Sequence, residues 1–370
     1  MVPFGLSQDP PKEQTRVRAR DLGIQVGKME TGKWNAITDV PGVKVGHATL
    51  HKGKDVHTGV TVILPHEGNL FQEKVPAAII VGNGFGKLAG STQVNELGNI
   101  ETPIALTNTL SVASVMESLV RSTLSKNDKV RSVNGVVGET NDGRLNDIRG
   151  MHITEEHVLS AINSAESGVV SEGSLGAGAG TQCFGFKGGI GTSSRIVKSV
   201  AGKNYTLGVL VQTNFGGDLR IDGNPFGNSP GAKLASLNQP NGDGSCMIVV
   251  ATDAPLSFRN LERIGKRALH GMARTGSSMS NGSGDYVIVF STAYRIPYRA
   301  KDLIEIPALL GNDHITPVFE ATMDATEEAI LNSMFMATAV EGENGTAEAI
   351  DLKAVRKAVR RGDTPGADDK

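Results

Sequence analysis

Thiols are scarce in this chain. Two cysteines, Cys183 and Cys246, among 370 residues cannot build a disulfide framework, and read as buried thiols in a reducing compartment. Charge of one sign is also lacking: 37 Lys and Arg stand against 39 Asp and Glu, a formal net charge of −2. That balance gives no electrostatic footprint for nucleic acid or an anionic membrane, so neither is expected as a partner. No apolar run reaches the ~18 residues of a spanning helix. The segment Met1 to Asp21 is polar, carries charges from Asp9 onward and lacks the apolar core of a signal peptide, so a cytoplasmic location is expected. The eight histidines show no metal pattern. His152 and His157 do not share the spacing of one helix face, and His47, His51 and His57 fall in a stretch that reads as loop-rich, with no acidic or thiol partner at ligand spacing.

Glycine, in contrast, is abundant, at 46 residues. It clusters at Gly173, Gly176, Gly178, Gly180, Gly185, Gly188, Gly189 and Gly191. This spacing fits neither the dinucleotide fingerprint nor the P-loop, and no Gly-Lys-Ser/Thr accompanies it. Close backbone packing at a subunit interface or a substrate channel is the expectation. Neither repeat nor linker divides the chain, which reads as one mixed α/β unit of layered strands and helices. Strands are predicted at 60–64, 77–81, 103–107, 207–213, 246–251 and 286–291. Helices are predicted over 111–125, from Asp324 with Glu327 three positions on, and at the C-terminus around Leu352, Val355 and Val359. The tail from Gly362 to Lys370 is expected to be disordered.

The stretch with most chemical content is Asn241-Gly242-Asp243-Gly244-Ser245, which opens the apolar strand Cys246 to Ala251. Glycine before the serine leaves its carbonyl open to attack by the hydroxyl in a tight loop, while an ordinary loop-to-strand junction would look the same. Ser257 reads as an N-cap, and Phe258, Leu261, Ile264, Ala268, Leu269 and Met272 mark one face of a helix. A loop of small residues then carries Ser283 and Asp285 to a strand at Tyr286. A strand of roughly 20 Å followed by a helix of roughly 25 Å returns the chain to the edge where it began, so Ser283 and Asp285 are expected near Ser245. If Ser245 becomes a chain terminus, its α-amine, with an ordinary pKa of about 7.7–8.0, can serve as base. Ser283 and Asp285 would relay or orient the proton, or else bond backbone amides in a glycine-rich loop. Strand alternation turns the neighbouring Cys246 away. No histidine accompanies these segments, which disfavours a Ser-His-Asp triad.

The ordered set of segments from about Gly42 to about Val340 resembles the self-processing serine aminopeptidases typified by the L-aminopeptidase D-Ala-esterase/amidase, which include the β-peptidyl aminopeptidases. The set runs through Gly82-Asn83-Gly84-Phe85-Gly86-Lys87-Leu88, Glu101-Thr102-Pro103-Ile104, Asn108-Thr109-Leu110, Gly138-Glu139-Thr140-Asn141-Asp142-Gly143, Lys187 to Arg195, Gln212-Thr213-Asn214-Phe215-Gly216 and the two serine segments. The resemblance implies a four-layer α-β-β-α sandwich like that of N-terminal-nucleophile hydrolases, with different connectivity. It implies cleavage between Gly244 and Ser245 into a larger subunit 1–244 and a smaller one 245–370, assembling as homo-oligomers of the cleaved unit. Ser245 matches the nucleophile, Ser283 and Asp285 its hydroxyl and carboxylate partners, and Asn214 the oxyanion-stabilising side chain. Asn214 otherwise reads as a turn residue. The implied reaction is hydrolysis of N-terminal residues from short peptides, amino-acid amides and esters, without a cofactor. Acyl transfer of the ornithine acetyltransferase type, which uses threonine at the cut, and a non-catalytic scaffold are the alternatives. Glu139 is a candidate partner for the substrate ammonium, or else an exposed structural carboxylate. Arg144 stands where the family carries an aromatic residue, and it would stabilise an oxyanion but repel an ammonium.

Overall fold

The computed structural model describes residues 15–226, 243–300 and 302–362. The expected tail beyond Gly362, the first fourteen residues and Asn241-Gly242 lie outside the described residues. Two sheets face each other. The smaller joins β1 (Lys44–Lys52), β2 (Val56–Leu64), β4 (Leu88–Ala89), β6 (Ile104–Asn108) and β7 (Val136–Thr140) in the order β1-β2-β6-β7-β4. The larger joins β3 (Glu73–Gly84), β5 (Asn99–Ile100), β8 (Ile190–Val200), β9 (Lys203–Asn214), β10 (Asp243–Thr252), β11 (Gly282–Ser291) and β12 (Ile296–Pro297). Its order is β8-β9-β10-β11-β3-β12, with β5 beside β3.

Helices cover both outer faces. They are α1 (Ser91–Leu97), α2 (Val112–Leu124), α3 (Glu155–Asn163), α4 (Phe258–Arg274), α5 (Thr316–Phe335) and α6 (Leu352–Gly362). The period-two alternation of β10 shows why the layers stack. Met247, Val249 and Ala251 enter the core between the sheets with Leu106, Val136 and Leu210. Cys246, Ile248 and Val250 face Leu261, Ile264, Ala268 and Leu331 of α4 and α5. A third core joins the other face of the small sheet to Val115, Leu119 and Val158 of α2 and α3. The result is the four-layer α-β-β-α sandwich, and each of the six predicted strands lies in or across one observed strand.

Four expectations require correction. First, the helix expected at Asp324 begins at Thr316, with Pro317 in its first turn. Nearly every residue from Ala321 to Phe335 is buried, because α5 packs both on β8 and β9 of the large sheet and against α4, so this stretch shows no polar face, and only the first turns set exposed Thr316 and Glu320 against buried Val318 and Phe319. Asp324 is mid-helix and pairs with Arg274 at 2.7 Å. Second, the histidine stretch is the β1–β2 hairpin, where His51 pairs with His57 across the strands at 2.8 Å between Nδ1 atoms. Third, the close glycine packing is internal to the chain. A Cβ on Gly191 would lie 2.0 Å from the Ala329 carbonyl oxygen of α5, and one on Gly178 would lie 2.6 Å from Gly189. Fourth, Ser283 and Asp285 lie on β11 and not in a loop.

Candidate active site

The strand-helix-strand unit β10-α4-β11 forms as the sequence predicts. Ser257 caps α4 by accepting the Asn260 amide, and β11 returns parallel to β10, with Ser245 opposite Gly284. On the other flank β9 runs antiparallel, with Asn214 opposite Ser245. Ser245 is 5 % exposed. Its hydroxyl donates to the Gly244 carbonyl oxygen at 2.5 Å and lies 3.4 Å from the Gly284 amide, which donates to it. Gly244 belongs to strand β10 and not to a tight loop. What it supplies is close approach, since a Cβ there would lie 3.1 Å from the Cα of Phe215.

The side-chain amide of Asn214 is oriented by its neighbours. Its Oδ1 accepts the Gln182 amide at 3.0 Å, and its Nδ2 donates to the Asn141 carbonyl at 2.9 Å. One N–H of the Nδ2 group therefore remains for another acceptor. Asn214 is not a turn residue but the last residue of β9.

Ser283 and Asp285 share a face of β11, and the serine hydroxyl donates to Asp285 Oδ1 at 2.8 Å. In the parallel register they stand beside Gly244 and Cys246, while Gly284 stands beside Ser245. They therefore flank the main chain of Ser245 and not its hydroxyl. Burial pushes the Asp285 carboxyl up to about 6, against the opposing pull of the Ser283 hydroxyl and the Cys246 amide. Cys246 is fully buried on the helix side, with its thiol raised by burial and by the Asp285 charge.

From the small sheet, β7 lowers Glu139 onto this edge. Glu139 is 2 % exposed, not an exposed carboxylate. Its Oε1 accepts the Lys87 amide at 2.9 Å and lies 3.9 Å from the Lys87 ammonium, while Oε2 accepts the Thr109 hydroxyl. Thr109 is placed by Asn108, whose side chain caps the turn after β6 by accepting the Leu110 and Ser111 amides. Tyr286, next to this carboxylate, has its phenol raised by burial and by the Glu139 and Asp285 charges. Ser245, Asn214, Glu139 and Arg144 all line one cavity of about 600 Å³, together with Phe85, Lys87, Thr109 and Phe215. Sequence reasoning assigned no role to Lys87, Thr109 or Gln182. Their signal was only their membership in the Gly-Phe-Gly-Lys and Asn-Thr-Leu segments, or none at all for Gln182. No group of three or more His, Cys, Asp or Glu side chains that could hold a metal occurs among the described residues.

A nucleophile candidate, an oriented amide donor and a buried carboxylate around one cavity are the parts of an acyl-transfer site. The model of peptidase family S58 matches residues 35–348. The chain belongs to peptidase family S58. It is 42 % identical over 371 residues to the β-peptidyl aminopeptidase BapA of Sphingosinicella microcystinivorans, covering 93 % of each chain. Among solved structures it is similar to a protein of Pyrococcus horikoshii OT3, with TM-score 0.87, 47 % identity, and coverage of 93 % of this chain and 99 % of that one. It is also similar to the L-aminopeptidase D-Ala-esterase/amidase of Ochrobactrum anthropi, with TM-score 0.85, 34 % identity, and coverage of 93 % and 98 %. That structure is described as a prototype for the serine aminopeptidases and a new variant among the N-terminal-nucleophile hydrolase folds. As an S58 member the chain is an aminopeptidase, a hydrolase of the N-terminal-nucleophile type. The acyltransferase and scaffold alternatives are not favoured. No helix among the described residues is long and apolar enough to cross a membrane.

Proposed function

We propose that the chain cuts itself between Gly244 and Ser245 and then hydrolyses short peptides, amino-acid amides and esters from their amino end. The observation that carries this reading is the Ser245 hydroxyl held against its own preceding carbonyl, opposite Asn214, at the floor of a cavity with a buried carboxylate. In the cut, Oγ bonds to the Gly244 carbonyl carbon, the C–N bond breaks, and the hydroxyl proton goes to the departing Ser245 nitrogen. Water then hydrolyses the ester, leaving Gly244 as a carboxylate and Ser245 with a free α-amine. The products are a larger subunit, 1–244, and a smaller one, 245–370.

In turnover the α-amine takes the Ser245 hydroxyl proton as Oγ attacks the substrate carbonyl. The remaining N–H of Asn214 Nδ2 meets the oxyanion, the leaving amine or alcohol takes the proton back from the α-ammonium and departs, and water then hydrolyses the Ser245 ester to release the acyl group as a carboxylate. Ser283 and Asp285, which flank the main-chain nitrogen of Ser245, hold the new amine in place. Glu139 receives the substrate ammonium. A cation brought into this partly desolvated cavity needs a counter-charge, and an ion pair there carries more weight than on a surface. The name of the relative from Sphingosinicella microcystinivorans extends the candidate substrates to those beginning with a β-amino acid. The two unpaired, buried thiols suit a cytoplasmic enzyme, and a homo-oligomer of the cleaved unit is part of the same reading, checked by native mass.

The test compares free and N-acetylated alanine and β-alanine p-nitroanilides. Acetylation removes the charge that Glu139 pairs with and adds bulk, so the free amines are expected to be turned over and the acetylated ones not. Equal kcat/KM for the two would remove the aminopeptidase assignment from this site while leaving a serine hydrolase.

A further inference from the structure

The Asn214 side chain is held by two main-chain groups, and one buried lysine–carboxylate pair adjoins both. The Gln182 amide donates to Asn214 Oδ1, and the Asn141 carbonyl accepts from Nδ2. Gln182 belongs to a short hairpin in which Gln182–Cys183 pairs with Phe186–Lys187, and Lys187 stands directly opposite it. The approach to this hairpin carries Gly176, Gly178 and Gly180, so its path is set by contacts and not by any preference of its own backbone. Lys187 supplies such contacts. Its side chain is fully buried, and Nζ donates to the Gly178 carbonyl at 2.8 Å and to the Gly188 carbonyl at 2.9 Å, tying the start of the segment to its end. Asp142, the residue after Asn141, is buried as well, and its Oδ1 accepts the Asn146 side-chain amide at 2.9 Å. The hairpin approach rests on it, since a Cβ on Gly180 would lie 3.0 Å from the Asp142 Cβ. Burial pulls the Lys187 amine down to about 7, opposed chiefly by the Asp142 charge. It pushes the Asp142 carboxyl up to about 7, opposed by the Thr58 hydroxyl, the Asn146 amide and the Lys187 charge.

We propose that Lys187, with Asp142 as its counter-charge, is the positioning residue of the oxyanion donor: the pair fixes the two main-chain groups that aim the remaining N–H of Asn214 at the reacting carbonyl. The inference rests on the oxyanion role given to Asn214 above. Neither Lys187 nor Asp142 is among the residues lining the cavity, so the pair acts through Asn214 and not on substrate. A fully buried amine is a costly way to fill space, because an apolar side chain of similar length has no charge to strip of water. What the amine does that an apolar chain cannot is hold two carbonyls at once. An oxyanion donor works only where its hydrogen lies within bonding reach of the developing charge. A displacement of about 1 Å in such a group can cost about 100-fold in rate.

The experiment measures kcat and KM on alanine p-nitroanilide for Lys187→Met, Asp142→Asn and the two combined, each with Asn214 intact and with Asn214→Ala. Self-processing is checked by mass and folding by circular dichroism. With Asn214 intact, Lys187→Met is expected to lower kcat about 10- to 100-fold and to leave KM within about threefold. Asp142→Asn should lower kcat less, since the amine keeps its two carbonyls. In the Asn214→Ala background the same changes should cost less than about threefold further, because no donor is left to misplace. The combined variant leaves no lone buried charge, and it carries the test if Lys187→Met alone fails to fold. Equal losses in the two backgrounds would overturn the inference and reduce the pair to a support of the fold, with the role of Asn214 intact. An unchanged kcat in folded Lys187→Met would overturn it too, as would failure of all three variants to fold or to cut themselves. An Asn214→Ala change that leaves kcat untouched would instead bring down the oxyanion role of Asn214, and this inference with it.

Discussion

Ser245 is the residue on which both proposed reactions turn. Ser245→Ala should leave one chain of about 38.8 kDa, the mass of the intact sequence, because no hydroxyl then attacks the Gly244 carbonyl. Mass spectrometry under denaturing conditions reads this directly, and processing that survives the alanine change would defeat the proposal. Asn214→Ala should lower kcat by about 100- to 1,000-fold, the usual cost of one lost oxyanion donor, while steady-state KM changes little. A pH signature follows from Asp285, whose carboxyl burial holds at about 6. It is neutral below that value and a carboxylate above it, and only the carboxylate stabilises the positive charge that builds on the Ser245 nitrogen as it takes the hydroxyl proton, so self-cleavage of freshly synthesised chain should slow as pH falls through about 6. Asp285→Asn should abolish that limb. A profile flat from about pH 5 to pH 8 in the unmutated chain would deny Asp285 any part in the step. The acidic group was legible in the sequence, but its face of the strand was not, since Ser283 and Asp285 read as loop residues until β11 showed their alternation with Gly284.

Among the elements, the strands, α4 and the second half of α5 could be read from the sequence, and the start of α5 could not. The apolar run of β10 and the amphipathic period of α4, opened by the Ser257 cap, fix the unit that carries Ser245 to Gly284. Helix α5 is buried on nearly all sides from Ala321 onward, and its polar residues Thr322, Asp324, Glu327 and Glu328 find partners inside the protein, so Asp324 and Glu327 are not the capping pair that their spacing suggests. The glycine cluster was visible, but which backbone each glycine admits depends on tertiary contacts. Gly191→Ala is the sharp case: its Cβ would overlap the Ala329 carbonyl oxygen and lie 2.6 Å from the Ser333 amide nitrogen. Forcing β8 and α5 apart should cost more than the ~1–3 kcal/mol of ordinary overpacking, read as a large fall in the thermal midpoint or in soluble yield. Gly53, with φ +61° and open space where its Cβ would go, should lose only about 1 kcal/mol on the same change. Similar losses at the two positions would contradict the packing described for α5.

At the scale of the whole molecule, the proposed cut divides the chain without dividing the fold. The larger fragment would own β3, β8 and β9, and the smaller one β10, β11 and β12, yet β10 and β11 sit between β9 and β3 in one continuous sheet. Neither fragment can form that sheet alone, because each would leave ladder groups unpaired and one core face bare. The N-terminal segment adds a clamp from the other direction. Arg16 donates to the Met334, Phe335 and Ile350 carbonyls, and Arg20 pairs with the Glu328 carboxylate, which also pairs with Arg195 at 2.7 Å. The cleaved fragments are therefore expected to co-elute on gel filtration at the same apparent size as the uncleaved Ser245→Ala chain, in high salt as in low. High salt screens exposed ion pairs but leaves a buried sheet intact. They should part only in denaturant, and the two should fail to regain structure when refolded separately. Fragments that separate in native buffer, or a 245–370 fragment that folds by itself, would show that the interleaved sheet does not hold the halves together.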